Sequence, residues 1–279
     1  MVFSLSTIRS NFRWRKYTQI IKNIYEGVYR SLRGKVLALR GYYDLKIDGV
    51  VVSFSAPTST MVNLNMKRFT SEYEELSDFM SEIKPGDVVY DIGANTGLYS
   101  LFAASKNEDV KVVSFEPYPK NVELLRRDIR RNQLDNVQIK EIALSDTTGT
   151  VEFSQPQEEI SGHGALSIEA ESSQSTTKVS TNTGDKLISK DKIPNPNVIK
   201  IDVEGAEPLV IEGLRDAIKD DECRLVYCEI HLSDVEHRPS IQDFGSNYED
   251  FCIWLNKLGF SVHELKSRDD SELFIKAEK

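Results

Sequence analysis

His231, Glu229, Asp202 and Glu204 are the residues of this chain best suited to move a proton. They come in two tight clusters, "IDVEG" at 201–205 and "CEIHL" at 228–232. Asp91 and Glu116 are suited to a different task, that of holding a polar ligand. Asp91 stands in "VVYDIGANTGLYSL" (88–101), just before Gly93 and Gly97, and Glu116 closes "VVSFE" 25 residues later. All of these residues fall where an apolar run stops, which places them at the carboxyl ends of strands. In an open parallel sheet that is where ligands bind.

The elements that must position them read as follows. "DVVYDI", "VKVVSFE", "VQIKEIAL", "NVIKIDVE" and "CRLVYCEIHL" are short apolar runs of strand length. Helical patterns separate them: one from about Leu98, "PKNVELLRRDIRRNQ", "PLVIEGLRDAI" and "NYEDFCIWLNKL". Strand and helix in alternation predict an α/β fold with a mostly parallel sheet covered on both faces. "FSVHEL" and "ELFIKA", joined by a turn at Arg268-Asp269-Asp270, must pair antiparallel. The third strand is expected to end at Ala143-Leu144-Ser145-Asp146, and residues 154–197, rich in Ser, Glu, Gln and Gly, to form an irregular insertion.

Upstream, residues 8–32 carry helical spacing, and "YDLKIDGVVVSFSA" predicts a hairpin about Asp48-Gly49. "SEYEELSDFMSEI" predicts a helix with Ser71 as N-cap and Glu74 closing a capping box. We divide the chain into an extension, 1–70, with a helix and a hairpin, and a main domain, 71–279.

The turn after the first strand selects the ligand. Asn95 stands where a dinucleotide site would place its middle glycine, and an anionic Asp91 would repel a pyrophosphate. A carboxylate suits a ligand with an ammonium or sulfonium group. Glu116 is placed to accept hydrogen bonds from ribose hydroxyls. S-adenosylmethionine has all of these groups and no phosphate.

"VVYDIGANTGLYSL", "VVSFEPYPKNVELLRRDIRRN", "IALSD" and "VIKIDVEGAEPLVIEGL" together resemble the FkbM-type family of S-adenosylmethionine-dependent methyltransferases, over roughly residues 70–265. The resemblance implies a class I methyltransferase fold: a Rossmann-like, seven-stranded sheet with an antiparallel last strand. It also implies O-methylation of a sugar, glycan or secondary-metabolite hydroxyl. Residue by residue, it implies that Asp91, Gly93, Ala94, Asn95 and Gly97 shape the methionine and ribose side. Glu116 would take the ribose diol and Pro117 and Tyr118 would pack beside the adenine. Ala143, Leu144 and Ser145, with Asp146 next to them, would line the adenine.

For O-methylation a hydroxyl must lose its proton, and histidine is the commonest base. His231 is the candidate base, oriented by Asp202 or Glu229, with Glu204 binding substrate hydroxyls. The alternative is that Asp202 or Glu204 takes the proton. We assign no metal ligand, although Asp202, Glu229 and His231 together could also form an oxygen-rich site for Mg²⁺. Glu207 reads as a helix-start residue, since it precedes Pro208. His163, in "SGHGALS", would lie on a loop able to close over substrate, or simply on the surface. His237 and His263 carry no signal.

Composition narrows the function classes. The 279 residues are 39% hydrophobic and 28% charged, with a net charge of −9, so a nucleic-acid-coating surface is not expected. The first forty residues are the exception, with nine Lys/Arg and one acid, Glu26. They are a candidate for peripheral contact with an anionic membrane face. Three cysteines without a C-x-x-C pair, no apolar run of spanning length and no signal-like N-terminus predict a reduced, cytoplasmic chain. A short-chain dehydrogenase would need Tyr-x-x-x-Lys after the glycine turn, and the one such pair, Tyr42 and Lys46, precedes it. An enzyme that methylates the amines of nucleic-acid bases would carry Asn/Asp-Pro-Pro-aromatic where "DVEG" stands. A non-catalytic cofactor module would have lost the cofactor residues that are intact here.

Overall fold

A computed structural model describes residues 31–154, 176–190, 192–232, 238–268 and 271–279. The chain divides into two compact units, one of residues up to Tyr43 with Ser55–Thr70, the other of Asp44–Phe54 with Ser71–Lys279. The helix expected over 8–32 lies, but for its last two residues, outside the described residues. Residues 31–40 are helical (α1). They expose Leu32, Val36 and Leu39.

The hairpin forms as its turn dictates. β1 (Tyr42–Ile47) and β2 (Val50–Ser55) are joined by Asp48 and Gly49, both at positive φ, as a tight two-residue connection requires. Helix α2 (Ser59–Ser71) has no counterpart in the sequence reading; it buries only Met61 and Val62. It also overturns the expected capping box. Ser71 is already helical as the last residue of α2, and α3 (Tyr73–Glu82) starts after Glu72 with no side-chain cap.

From here strand and helix alternate: β3 (Val88–Ile92), α4 (Leu98–Lys106), β4 (Lys111–Phe115), α5 (Pro119–Arg131) and β5 (Val137–Lys140). The run "VQIKEIAL" is not one strand. β5 stops at Lys140, and Ala143–Leu144 form β6 in a separate sheet with β7 (Gly149–Ser154) and β8 (Thr176–Asn182). β7 and β8 pair antiparallel from Gly149↔Thr181 to Ser154↔Thr176. The region expected to be irregular therefore contains β8, built from β-favouring Thr and Val, and α6 (Gly184–Ser189). Residues 155–175, with His163, lie outside the described residues.

β9 (Val198–Ile201), α7 (Glu207–Gly213), α8 (Arg215–Lys219), β10 (Leu225–His231), α9 (Tyr248–Lys257), β11 (Ser261–Arg268) and β12 (Glu272–Glu278) complete the chain. The helix read as continuous from Pro208 is broken at Leu214, between α7 and α8.

The main sheet has seven strands in the order β11-β12-β10-β9-β3-β4-β5. β5, β4, β3, β9 and β10 are parallel, and β12 runs antiparallel to both of its neighbours. The chain winds outward from β3 in one direction and returns through β9 in the other. The crevice between the carboxyl ends of β3 and β9 is thus the switch point at which such sheets bind ligands.

One face of the sheet is apolar. Tyr90, Phe115, Ile199, Val226 and Ile275 bury themselves there with Val210 and Leu214. The other face carries a polar row in register: Ser114 beside Asp91, Asp91 beside Lys200, Lys200 beside Tyr227, Tyr227 beside Lys276. Aromatic rings cover it, with Phe79 of α3 edge-on to Tyr99 at 5.2 Å and to Tyr227 at 5.4 Å.

Candidate active site

The first half of the site is the turn from β3 to α4. Gly93 and Ala94 both donate their N–H to the Phe115 carbonyl at 3.0 Å, folding the chain over the end of β4. Gly93 has φ +77°, and a Cβ there would lie 1.8 Å from the Asp202 carbonyl oxygen. This turn and the end of β9 are in direct backbone contact.

Asn95 also has positive φ, at 53°, a conformation asparagine tolerates better than most residues. Its N–H donates to Glu116 Oε2 at 2.7 Å, and the Tyr118 N–H donates to Glu116 Oε1 at 2.9 Å. Burial pushes the Glu116 carboxyl up to about 7, against the pull of these hydrogen bonds. Two backbone amides thus fix the carboxylate where the sequence places a ribose-binding group, and its remaining lone pairs can still accept.

Asp91 is drawn inward. It is 1% exposed, and its Oδ2 accepts from the Ser100 N–H at 2.9 Å and the Ser100 hydroxyl at 2.5 Å. Ser100 lies in the first turn of α4, where free N–H groups and the helix dipole attract a carboxylate. Anchoring α4 is therefore one role of a residue read from sequence as ligand-facing.

Tyr118, Ala143 and Ala206 are buried together, with Val203 packed against them. Pro117 is half-buried beside them in sequence. Leu144 does not join them. It is 2% exposed in the main core, as expected for the neighbour of Ala143 in a strand whose side chains alternate. Ser145 donates its N–H to the Asn182 carbonyl and its hydroxyl to Asp146 Oδ1, and its carbonyl lies against Gly213. The structure shows Leu144 and Ser145 holding the small sheet to the core, which corrects the expectation for Leu144.

The second half is built on the ends of β9 and β10. Glu204 and Gly205 both take positive φ in a sharp turn, and α7 starts at Glu207. Glu207 is fully buried, and its Oε1 accepts the Gly205 N–H at 2.9 Å while lying 2.9 Å from His231 Nδ1. On the other side of the ring, His231 Nε2 is 3.4 Å from Glu204 Oε2. Burial works against a charge on His231. The bond to Glu207 and the charges of Glu207, Glu204 and Asp202 outweigh it, and raise the imidazole to about 10.

The carboxylate that orients His231 is thus Glu207, not Asp202 or Glu229. Sequence reasoning classed Glu207 as a helix-start residue, which it is. What it could not see is that this helix start, with zero exposure, faces the end of β10. Asp202 pairs instead with Lys200, Nζ to Oδ2 at 2.9 Å. Glu229 is grouped with Glu272, which Arg238 binds and holds below the usual carboxylate range despite its burial.

Among the described residues, two sets of donor atoms fall within 4.8 Å of one another, those of Asp202, Glu204 and His231 and those of Glu229, His231 and Glu272. Asp202 and Glu229 do not share a set, as the Mg²⁺ reading had required. In both sets positive charge is already supplied, by Lys200 and the imidazolium in one and by Arg238 and the imidazolium in the other. His263 lies away on β11, exposed near Glu278. His237 is outside the described residues.

A seven-stranded sheet with an antiparallel β12, a glycine turn after β3 and a carboxylate at the end of β4 defines a class I methyltransferase fold. Residues 91–262 match the FkbM methyltransferase domain, and the chain belongs to that family. It is 26% identical over 197 residues to the hexuronic acid methyltransferase AglP of Haloferax volcanii, covering 71% of this chain and 77% of AglP. It is 40% identical over 68 residues to the 31-O-demethyl-FK506 methyltransferase FkbM of Streptomyces tacrolimicus, covering 24% of this chain and 26% of that protein. The crystal structure of methyltransferase FkbM from Methylobacillus flagellatus aligns with a TM-score of 0.48 at 15% identity, over 71% of this chain and 45% of that one. Among the described residues, no helix is long and apolar enough to cross a membrane.

Proposed function

We propose that this chain uses S-adenosylmethionine to methylate a hydroxyl group on a sugar, a glycan or a secondary metabolite. The observation that carries the reading is the bond from the Asn95 N–H to Glu116. It joins the glycine turn and the strand-end carboxylate into one preformed cradle, next to Asp202. The cradle fits this cofactor in two respects. Glu116 keeps acceptor capacity for a diol, and Gly93 leaves the cradle clear of side chain where it meets Asp202. A sugar acceptor is supported by AglP, a polyketide-type acceptor by the FK506 methyltransferase.

Bound there, S-adenosylmethionine supplies an electrophilic methyl group. On this reading Glu116 accepts from the ribose hydroxyls. Tyr118, Ala143 and Val203 offer an apolar wall to the base. Asp202 faces the cationic end.

The proton of the acceptor hydroxyl goes to Glu204. At neutral pH His231 already carries its proton, so it is a poor base. It serves better as the cation that stabilises Glu204 from behind. Glu204 is the partly exposed member of that pair, with 13% of its side chain accessible.

Calorimetry with S-adenosylmethionine and, separately, NADH tests the cofactor. Heat with the first alone is expected, and no binding of the first overturns the reading. Mass spectrometry of metabolite and glycan extracts incubated with enzyme and cofactor then identifies the acceptor by the mass of an added methyl group. Glu204→Gln should bind cofactor normally and lose transfer; unchanged transfer would place the proton elsewhere.

A further inference from the structure

Lys200 has no solvent exposure, a state in which lysine is found almost only when paired. Register puts it on β9 between Asp91 of β3 and Tyr227 of β10. Its Nζ lies 4.8 Å from the centroid of the Tyr99 ring and 2.9 Å from Asp202 Oδ2. If filling space were its only task, an apolar side chain would serve at least as well, because a buried ion pair is often no more stable than a hydrophobic replacement.

Its partner is a site residue. Asp202 keeps 14% exposure, so a ligand can meet the carboxylate while the ammonium acts from behind it. The backbone of Asp202 is fixed as well: its N–H donates to the Ile92 carbonyl at 3.0 Å, and its own carbonyl lies against Gly93. A second cation competes for the carboxylate, because Asp202 acts electrostatically on His231.

We propose that Lys200 is a positioning residue for methyl transfer: it holds the Asp202 carboxylate on the sheet beside the cofactor turn, and so leaves His231 to Glu207 and Glu204. The groups facing His231 are Glu207 of α7, Asp202 and Glu204 of the preceding turn, Glu229 of β10 itself, and Glu272 of β12 with its partner Arg238. Lys200 offsets the charge of Asp202 within this set. Without it the carboxylate acts on His231 in full and is free to turn toward it. The proposal rests on the reading of this cluster as the methyl-transfer site, but its test needs neither cofactor nor acceptor.

The chain has four histidines, so an NMR titration of the labelled imidazoles in the full-length protein can follow each one, with His231→Asn identifying its signal. Lys200→Met should raise the His231 midpoint by about one pH unit, roughly tenfold in proton affinity, and Asp202→Asn should lower it by a similar amount. Lys200→Arg, which keeps the charge, should restore the wild-type midpoint. These opposite shifts distinguish positioning from loosening of the fold, which would draw the midpoint down in both variants. A folded Lys200→Met protein with an unmoved midpoint overturns the proposal. If Lys200→Met does not fold, Asp202→Asn decides, since an unmoved midpoint there shows that Asp202 does not act on His231. Failure to bind S-adenosylmethionine would overturn the functional reading and leave these midpoints where they are.

Discussion

His231 and Glu207 meet at 2.9 Å, Nδ1 to Oε1, with side-chain exposures of 2% and 0%. The pair joins the end of β10 to the first residue of α7, and it directs the other ring nitrogen at Glu204. Glu207 also receives the Gly205 N–H, so one buried carboxylate sets both the turn and the histidine. Replacing it with alanine leaves a buried imidazolium without its main partner, a change that costs about 3–5 kcal/mol. Glu207→Gln is the gentler probe. The His231 midpoint should fall from about 10 toward its ordinary 6.5, with cofactor affinity nearly unchanged. A midpoint that stays near 10 in Glu207→Gln would mean that Glu204 and Asp202 alone hold the charge.

The same pair should make stability depend on pH. The folded-state value of His231, about 10, lies above the unfolded value of 6.5, so folding favours the protonated ring. That stabilisation is fully present below pH 6.5, declines as pH rises, and is gone once pH passes 10. Thermal melts of the wild type should lose stability across this window, and His231→Asn should remove that part of the slope. Parallel curves for the two proteins would refute the assignment.

Glu116 should link cofactor affinity to pH near neutrality. Burial raises its carboxyl to about 7, while a ribose diol needs the ionised form as acceptor. Calorimetry should therefore show S-adenosylmethionine binding tightening by up to about tenfold per pH unit below pH 7, then levelling off above it. In Glu116→Gln the dependence should vanish and affinity fall. An unchanged affinity in that variant would remove Glu116 from the cofactor site.

Much of this arrangement was legible in the sequence because local signals marked it. Short apolar runs bounded by Gly, Asp and Glu gave β3, β4, β9 and β10 and their carboxyl ends. Asp48-Gly49 gave the hairpin, and "DIGANTG" marked the glycine turn that the Asn95 N–H ties to Glu116. What escaped depends on where distant segments meet. Ala143 and Leu144 leave the main sheet because β8, more than thirty residues later, pairs with them. Thr176–Asn182 lay hidden in a polar stretch whose strand is defined by its partners β6 and β7. Glu207 read as a helix start because nothing in "EGAEP" reveals that α7 begins against His231. The bond from Ser100 to Asp91 was hidden too, because it depends on how α4 leaves the turn.

Gly93 offers the sharpest test of the cradle. Its φ of +77° is unfavourable for a residue with a side chain, at about 1–2 kcal/mol. A Cβ there would also lie 1.8 Å from the Asp202 carbonyl oxygen, a backbone atom that cannot rotate away. Asp202 is held in turn by its N–H to Ile92, so relief of the clash must separate β3 from β9 at the switch point. Gly93→Ala should therefore lower the melting temperature by several degrees and abolish detectable S-adenosylmethionine binding by calorimetry. Gly49→Ala is the matched control. It has a φ of +89° with nothing within 4 Å of the added Cβ, so it should cost stability through strain alone and leave cofactor binding intact. Equal cofactor affinity in the two variants would show that contact between the glycine turn and Asp202 does not shape the binding site.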